Sequence, residues 1–250
     1  MSTTVNSPLD HPTASIGFSQ RGSVSRSLYN VQQKILEADK RVEQEHLYSR
    51  IQRSKITRQD DVISAYVTKM LAHHGICLLS FPAAIRQFTI VTAKQSFIGI
   101  GLRNNKGGIE FYNDSLWRIV TVGASGISLI YQGNKDNKTT ECLVFLDILD
   151  YLSYLSIMQT FKDVQIGNNS DVIIINSFSN TYKAIEACRD YKGINVFLPA
   201  GVSSDVINYT LLHFFGDKVT DCSWFYKNHA CNSFLAYCEK KYGQSDSGEQ

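Results

Sequence analysis

Residues 142–161 read CLVFLDILDYLSYLSIMQTF, and their pattern is the strongest indication of the fold. The four apolar residues 143–146 leave no polar face, which is the composition of a strand that helices cover on both sides. From Leu149 onward, apolar side chains recur every three or four residues, the period of a helix that packs one face on a core. A buried strand that leads directly into a helix predicts a parallel α/β sheet.

Two acidic residues, Asp147 and Asp150, lie where the predicted strand gives way to the helix. Open α/β sheets place ligand and metal chemistry at the carboxyl ends of their strands, so both side chains are candidates for such chemistry. A helix start also favours negative charge, because its first backbone N–H groups lack partners. The local pattern is compatible with a cap and with a site, and it leaves both interpretations open.

The rest of the chain repeats this alternation of strand and helix. Short links between such elements are typical of parallel strands joined by right-handed crossovers. The alternation therefore predicts one α/β domain over residues 139–242. We predict its further strands at 171–176, 194–198 and 219–225, and its further helices at 181–191, 203–215 and 231–242.

Residues 59–138 are predicted to form a helical lead-in followed by a smaller β-rich subdomain. The lead-in helix begins near Thr57–Asp60, where either terminal side chain can cap it, and ends at Gly75. Between residues 88 and 131 the sequence alternates or is rich in β-branched and aromatic residues, which indicates several short strands.

Two basic residues flank a turn in this β-rich region. Lys106, Gly107 and Gly108 form a hairpin-type connection. Arg103 and Lys106 can reach phosphate groups as point charges, so both are candidate nucleic-acid contacts. The alternative is that these charges are only solvated, as exposed charges in hairpins usually are.

The segment 28–58 is predicted to be a basic amphipathic helix, and we expect disordered tails at 1–27 and 243–250. The helix has one narrow apolar stripe, so it needs a partner surface. That surface is the body of its own chain, a second copy of the chain, or nucleic acid. Its candidate phosphate contacts are Arg50, Arg53 and Lys55.

Composition excludes several classes of protein. With 250 residues, 43% of them hydrophobic, the chain can bury a substantial core. No apolar run reaches the roughly 18 residues that a membrane span needs, and the six cysteines form no C-x-x-C pair of the kind that holds zinc. Cysteines inside apolar stretches indicate a reducing compartment, so we expect a cytoplasmic protein. The net charge of +2 gives no indication of the partner.

Three segments, in the same order, carry a resemblance to one family. They are IGIGLRNNKGGIEFYN at 98–113, LVFLDILDYLSYLS at 143–156 and DVIIINSFSNTYKAIEACRDYKGINVFL at 171–198. They resemble the Toprim-domain, primase-like proteins carried on plasmids and conjugative elements of Bacteroides-type bacteria. The resemblance implies an α/β fold: a Toprim-like parallel sheet flanked by helices, preceded by a smaller β-rich subdomain and an N-terminal helical arm.

The resemblance also implies a metal site whose ligands this chain lacks. Toprim enzymes hold Mg²⁺ with a Glu at the end of the first strand and an Asp-x-Asp at the end of the third, because a hard dication needs clustered oxygen ligands. Aligned by motif, Leu146 stands in the place of the Glu, and Pro199 and Gly201 in the places of the two Asp. None of these residues offers a carboxylate. The acids that could form a rearranged site are Asp147, Asp150 and Asp205.

These observations lead to one hypothesis and two alternatives. We expect a primase-related protein of a mobile element that has lost catalysis and acts as a nucleic-acid-binding or assembly module in DNA replication or transfer. It needs no cofactor, and its partners are single-stranded DNA or RNA, or replication or transfer proteins. The first alternative is an active Mg²⁺-dependent nucleotidyl-transfer or nuclease-type enzyme with a rearranged acidic site. The second is a protein-interaction module that dimerises through helix 28–53.

Overall fold

The computed structural model describes residues 34, 37, 41, 45–116, 118–132, 139–160 and 170–243. The chain divides into two compact units, Met1–His46 and Leu47–Gln250. In the first unit the described residues 34, 37, 41, 45 and 46 are helical.

The second unit contains two sheets and the helices that cover them. Its strands are β1 (Lys55–Asp60), β2 (Ile85–Val91), β3 (Ser96–Arg103), β4 (Ile109–Tyr112), β5 (Val120–Val122), β6 (Ser128–Ile130), β7 (Glu141–Phe145), β8 (Asp171–Ile174), β9 (Gly193–Phe197) and β10 (Val219–Asp221). Its helices are α1 (47–52), α2 (Ala65–His73), α3 (Ile148–Thr160), α4 (Thr181–Cys188), α5 (Val202–Phe215), α6 (Trp224–Lys227) and α7 (Phe234–Tyr242).

The first sheet is antiparallel, with its strands in the order β1-β2-β3-β4-β5. Successive side chains of a strand point to opposite faces, so the apolar residues of its central strands serve two cores. On one face Phe88 packs with Tyr48 and Ile51 of α1. On the other face Ile100 packs with Leu71 of α2. The sheet is therefore covered on both sides by its own chain.

Two glycines of this sheet are required by their surroundings. At Gly99 in β3 a Cβ atom would lie 2.0 Å from the carbonyl oxygen of Tyr112 on β4, so no side chain fits there. Gly107, in the turn between β3 and β4, has a φ of 80°, a conformation that a residue with a Cβ rarely adopts. The hairpin therefore depends on glycine at both positions.

The second sheet has its strands in the order β10-β9-β7-β8-β6. The pairs β10·β9, β9·β7 and β7·β8 are parallel, and β6 is added antiparallel at the edge beside β8. The central strand, β7, includes residues 142–145, the start of the stretch 142–161 from which the fold was predicted. Because parallel strands end at the same edge, the segments that follow β7, β8 and β9 meet at one side of this sheet.

Both faces of the second sheet are buried. Leu143 and Phe145 of β7 point into a core that α3 and α7 cover, and Cys142 and Val144 point into a core that α4 and α5 cover. This two-sided burial is the reason why the strand has no polar face in the sequence. The prediction of a mixed α/β chain is confirmed, and the division of residues 59–138 from 139–242 stays a prediction.

The predicted basic helix 28–58 is wrong at its carboxyl end. The helix ends at residue 52, and Lys55–Asp60 forms β1, which pairs antiparallel with β2. The side chains of KITRQD are mostly exposed, so the strand owes its formation to backbone pairing with β2. The pattern of its own apolar residues does not specify it. Most of the predicted range 28–44, and both predicted tails except Gly243, lie outside the described residues.

Two further boundaries differ from the predictions. The second helix begins at Ala65, after Ser64, whose hydroxyl oxygen accepts a hydrogen bond from the Val67 N–H, and not near Thr57–Asp60. The predicted strand 219–225 ends at Asp221, because the next residues turn into the short helix α6.

All six cysteines are free thiols, and five of them are buried, Cys142 and Cys188 among them. Among the described residues, no helix has both the length and the apolar character needed to cross a membrane.

Candidate functional site

The carboxyl edge of the second sheet is the first candidate site, because ligands of open α/β sheets bind there. The strand β7 runs into Leu146, whose side chain is half-buried against the core beneath α4 and α5. After β9 the chain continues through Pro199 and Ala200 to Gly201, and the N–H of Ala200 donates to the carbonyl of Asn232. The side chains of Leu146, Pro199 and Ala200 are therefore apolar, and Gly201 has none.

Asp147 is the N-terminal cap of α3. Its Oδ1 atom accepts hydrogen bonds from the backbone N–H groups of Leu149, at 2.9 Å, and Asp150, at 3.0 Å. Desolvation raises the pKa of this carboxyl, although the two backbone hydrogen bonds oppose the shift. The side chain satisfies the helix terminus, as the cap interpretation predicts.

Asp150 is a buried acid that joins two helices. Its side chain is on α3 and is 3% exposed, and its Oδ1 atom accepts a hydrogen bond from the Leu235 N–H at the start of α7. Burial, together with the nearby carboxylate of Asp147, raises its pKa to about 8, although hydrogen bonds from Leu235 and Ser233 lower it. The two acids are thus neighbours whose charges repel each other.

The third acidic candidate, Asp205, lies elsewhere. It is exposed in the first turn of α5, beside a cavity of about 20 Å³ that Asp221 and Lys227 also line. Neither Asp147 nor Asp150 is among the described lining residues of that cavity. The structure therefore brings two of the three predicted acids together and leaves the third apart. Among the described residues, no group of three or more His, Cys, Asp or Glu side chains could hold a metal ion.

The hairpin that carries Arg103 and Lys106 is internally braced. Asn104 accepts hydrogen bonds at its Oδ1 atom from the N–H groups of Lys106 and Gly108, and its Nδ2 atom donates to the carbonyl of Ala124 and to Oε1 of Glu110. Glu110 is buried, and desolvation raises its pKa. The turn is therefore held in one conformation, and it presents Lys106 to solvent.

Arg103 has local partners as well as exposure. Its guanidinium donates to Oε1 of Gln59 on β1 at 2.7 Å and lies 5.9 Å from the centre of the Phe88 ring. These contacts fix the direction of the side chain without neutralising its charge, since neither partner is acidic. Arg103 thus remains a positive charge on the surface of the first sheet.

The other basic candidates, Arg50, Arg53 and Lys55, are exposed around the junction of α1 and β1. This junction and the hairpin contact the same loop. The carbonyl of Gln52 accepts from the Gly123 N–H, and the carbonyl of the next residue, Ala124, accepts from Asn104 of the hairpin. The five predicted phosphate contacts therefore lie in two segments that adjoin residues 123–124.

An amide-rich cluster beside β6 and β8 of the second sheet was not predicted as a site. Asn176, which follows β8 with a φ of 64°, donates through Nδ2 to the Gly126 carbonyl and to the Ser128 hydroxyl oxygen. Asn180 also donates to the Gly126 carbonyl, and Lys183 donates to Oδ1 of Asn180. The only sequence signal was the pair of asparagines in NSFSN, directly after an apolar strand.

Comparisons with known proteins identify no family. No family model matches the chain, and no curated protein matches it. Among solved structures, it is similar to the primase fragment of the bacteriophage T7 primase-helicase protein, with a TM-score of 0.35 and 12% sequence identity. The match covers 58% of this chain and 63% of that one, so this chain spans less than two thirds of its neighbour. The likeness is weak, and we assign no function from it.

Proposed function

We propose that this chain is a primase-related, Toprim-like protein of a mobile element that binds single-stranded nucleic acid during replication or transfer and has lost metal-dependent catalysis. The observation that carries this proposal is the chemistry of the carboxyl edge of the second sheet. Leu146, Pro199 and Gly201 occupy the positions where the family that the motifs resemble has its acidic ligands. A hard cation needs clustered oxygen ligands, and these residues provide no side-chain oxygen.

The acids that remain are used for other purposes. Asp147 caps α3, and Asp150 holds the start of α7 from a buried position. Both carboxyls already accept backbone hydrogen bonds, which leaves fewer of their oxygen lone pairs for a cation. These roles count against the alternative of an enzyme with a rearranged acidic site.

The binding part of the proposal rests on the basic surface. Arg103 and Lys106 on the hairpin, and Arg50, Arg53 and Lys55 at the junction of α1 and β1, are exposed and lie on segments that share one loop. Clustered positive charge on a rigid support is what a phosphate backbone requires.

Dimerisation through helix 28–53 would need an exposed apolar surface on that helix. The described part of the helix offers little of it. Tyr48 and Ile51 are buried against the first sheet of the same chain, and Leu47 packs at the edge of that cluster. These side chains are therefore unavailable to a second copy. The remainder of that helix lies outside the described residues, apart from Lys34, Glu37, Arg41 and residues 45 and 46.

We expect binding of a fluorescein-labelled oligo(dT) to weaken steeply with salt, because each phosphate contact releases counterions. Each contact with a single strand contributes about −0.7 to the slope of log K against log salt. Lys106→Ala should reduce the slope by about 0.7 and the affinity about fivefold at 0.1 M salt. Fluorescence anisotropy measures both quantities, and Lys94→Ala, which removes an exposed lysine from the β2–β3 turn, is the matched control. Affinity that does not change with salt would contradict the proposal.

We further expect that Mg²⁺ and Mn²⁺ do not stabilise the protein. A resident site at a hundredfold excess of metal over its Kd would add about 2.7 kcal/mol to the free energy of unfolding. Thermal unfolding in 5 mM MgCl₂ or MnCl₂ should match unfolding in KCl of equal ionic strength. Asp147→Asn, which retains an oxygen for the cap, should respond as the unmodified chain does. If Mn²⁺ stabilised the unmodified chain and Asp147→Asn abolished this effect, the result would contradict the proposal and support the alternative of an enzyme with a rearranged acidic site.

A further inference from the structure

Helix α5 has apolar side chains on both its inner and its outer face. On the inner face, Ile207 and Leu211 are buried in the core that also contains Val144 of β7. On the outer face, Val202 is 81% exposed and Tyr209 is 73% exposed. A helix at the surface of a single chain normally turns polar residues outward, and a helix that is apolar all round is normally covered. The outer face of α5 therefore has the composition of a contact surface.

The outward positions of α5 lie in one line along the helix. They are spaced by four, three and four residues: Val202, Val206, Tyr209 and His213. This spacing keeps side chains on one side of a helix and is the spacing of a coiled-coil seam. We call these four residues the α5 stripe. No other described helix or strand exposes as many large apolar side chains as α5 does.

The neighbouring helices of the second sheet show the ordinary outward pattern. On α4 the exposed positions include Glu186, and Arg189 follows its last turn. On α7 the exposed positions include Glu239, Lys240 and Lys241. By contrast, α5 contains no Lys, Arg or Glu. A contiguous apolar surface on one helix, beside helices with charged outer faces, marks a site of protein association.

The charged groups of α5 favour a second copy of the chain as the occupant. The only acidic residue of the helix, Asp205, is in its first turn, and the only basic residue, His213, is in its last turn. Both are exposed, and within the described part of the chain neither forms an ion pair. An antiparallel copy brings the first turn of each helix against the last turn of the other. The acidic residue of each copy then meets the basic residue of the other, and the two helix dipoles are opposed.

We infer that two copies of this chain associate through an antiparallel contact between their α5 helices. Val206 of each copy packs beside Tyr209 of the other around the twofold axis, and Val202 packs beside His213. The helix has 14 residues, which span about 21 Å. One such helix pair buries less than the roughly 800 Å² per partner of a stable complex. The dimer is therefore weak, with a Kd on the order of 10 µM.

Sedimentation velocity of the full chain, from about 1 µM to about 200 µM, tests this inference. The chain should sediment as a 28.1 kDa monomer at the low end and as a dimer at the high end. Tyr209→Glu should weaken association at least about tenfold, because it brings two carboxylates together near the twofold axis. Since Tyr209 is exposed, this substitution should leave the urea midpoint of the monomer unchanged.

Tyr66→Glu is the matched control for Tyr209→Glu. Tyr66 is 57% exposed on α2, and α2 packs on the core at the opposite face of β7 from α5. The control should leave association unchanged. A chain that remains a monomer up to about 200 µM, or a dimer that Tyr209→Glu leaves intact, would overturn the inference. The second of these results would place the contact on another surface, such as helix 28–53.

A charge exchange tests the antiparallel arrangement. Asp205→Lys and His213→Glu should each weaken association about threefold, because each replaces an attraction between the two copies by a repulsion or by none. The chain that carries both substitutions should recover the affinity of the unmodified chain, since each new lysine then meets the new glutamate of the other copy. If the double variant associates more weakly than both single variants, the antiparallel contact is wrong. This inference is independent of nucleic-acid binding, so its failure leaves the proposed function standing.

Discussion

Asp150→Asn should gain stability relative to the unmodified chain between pH 5 and pH 8, by up to about 4 kcal/mol. In the folded chain the Asp150 carboxyl keeps its proton up to a pKa of about 8, against an ordinary value of 3.8. Between these two values folding takes up a proton. The free energy of unfolding therefore falls as the pH rises through this window, by up to about 1.4 kcal/mol per pH unit, and stops falling above the folded pKa. Asparagine cannot ionise, so this loss disappears.

The measurement is urea unfolding of the unmodified chain and of the variant at intervals from pH 5 to pH 9. Asp147→Asn should also weaken the dependence of the unfolding free energy on pH. Desolvation raises the pKa of Asp147, and the charge of Asp147 raises the pKa of Asp150. Asp190→Asn, an exposed carboxyl after α4, serves as the control and should leave the pH dependence as it is. If the unfolding free energy depends equally on pH in Asp150→Asn and in the unmodified chain, the Asp150 carboxyl does not cause the loss of stability at high pH.

Phe197→Ala should cost about 3–5 kcal/mol of folding free energy, which for a chain of this size is a large part of the total. Phe197 on β9 is 1% exposed and stacks on Phe145 of β7 at 5.1 Å between ring centres, with 8° between the ring planes. Its ring also contacts Tyr154 of α3 and Phe234 of α7. Removing it leaves a cavity where the sheet and both of its covering helices meet, so the neighbours cannot close in without moving the sheet.

Chemical unfolding measures this effect, and Phe214→Ala supplies the matched control. Phe214 is on α5 and is 55% exposed, so its removal should change the free energy of unfolding by no more than about 0.5 kcal/mol. A similar cost for the two variants would mean that the aromatic cluster is not the centre of the core. An increase in urea sensitivity of Phe197→Ala without a change in midpoint would point to a change in the unfolded state.

The elements that the sequence predicted well are those whose pattern is local and strongly periodic. The run 143–146 and the helix after it could be read from four apolar residues and from the three- and four-residue spacing that follows. By contrast, β1 could not be predicted, because Lys55–Asp60 is polar and extends only through pairing with β2, about thirty residues away. The cavity lined by residues 80–84, 129–132 and α3 could not be predicted either, because these segments are far apart in the sequence.

The amino-acid sequence alone specifies that Leu146, after β7, and Pro199 and Gly201, after β9, offer no carboxylate, and that Asp147 and Asp150 lie close to them. Leu146, Pro199 and Gly201 have no ionisable side chain, and no fold can supply one. The roles of Asp147 and Asp150 depend on contacts that form on folding. The hydrogen bond from Leu235 to Asp150 joins residues 85 positions apart, and the burial that raises the pKa of Asp150 comes from the packing of α3 and α7. Local sequence specifies which groups are present, whereas their solvation and partners depend on contacts between distant parts of the chain.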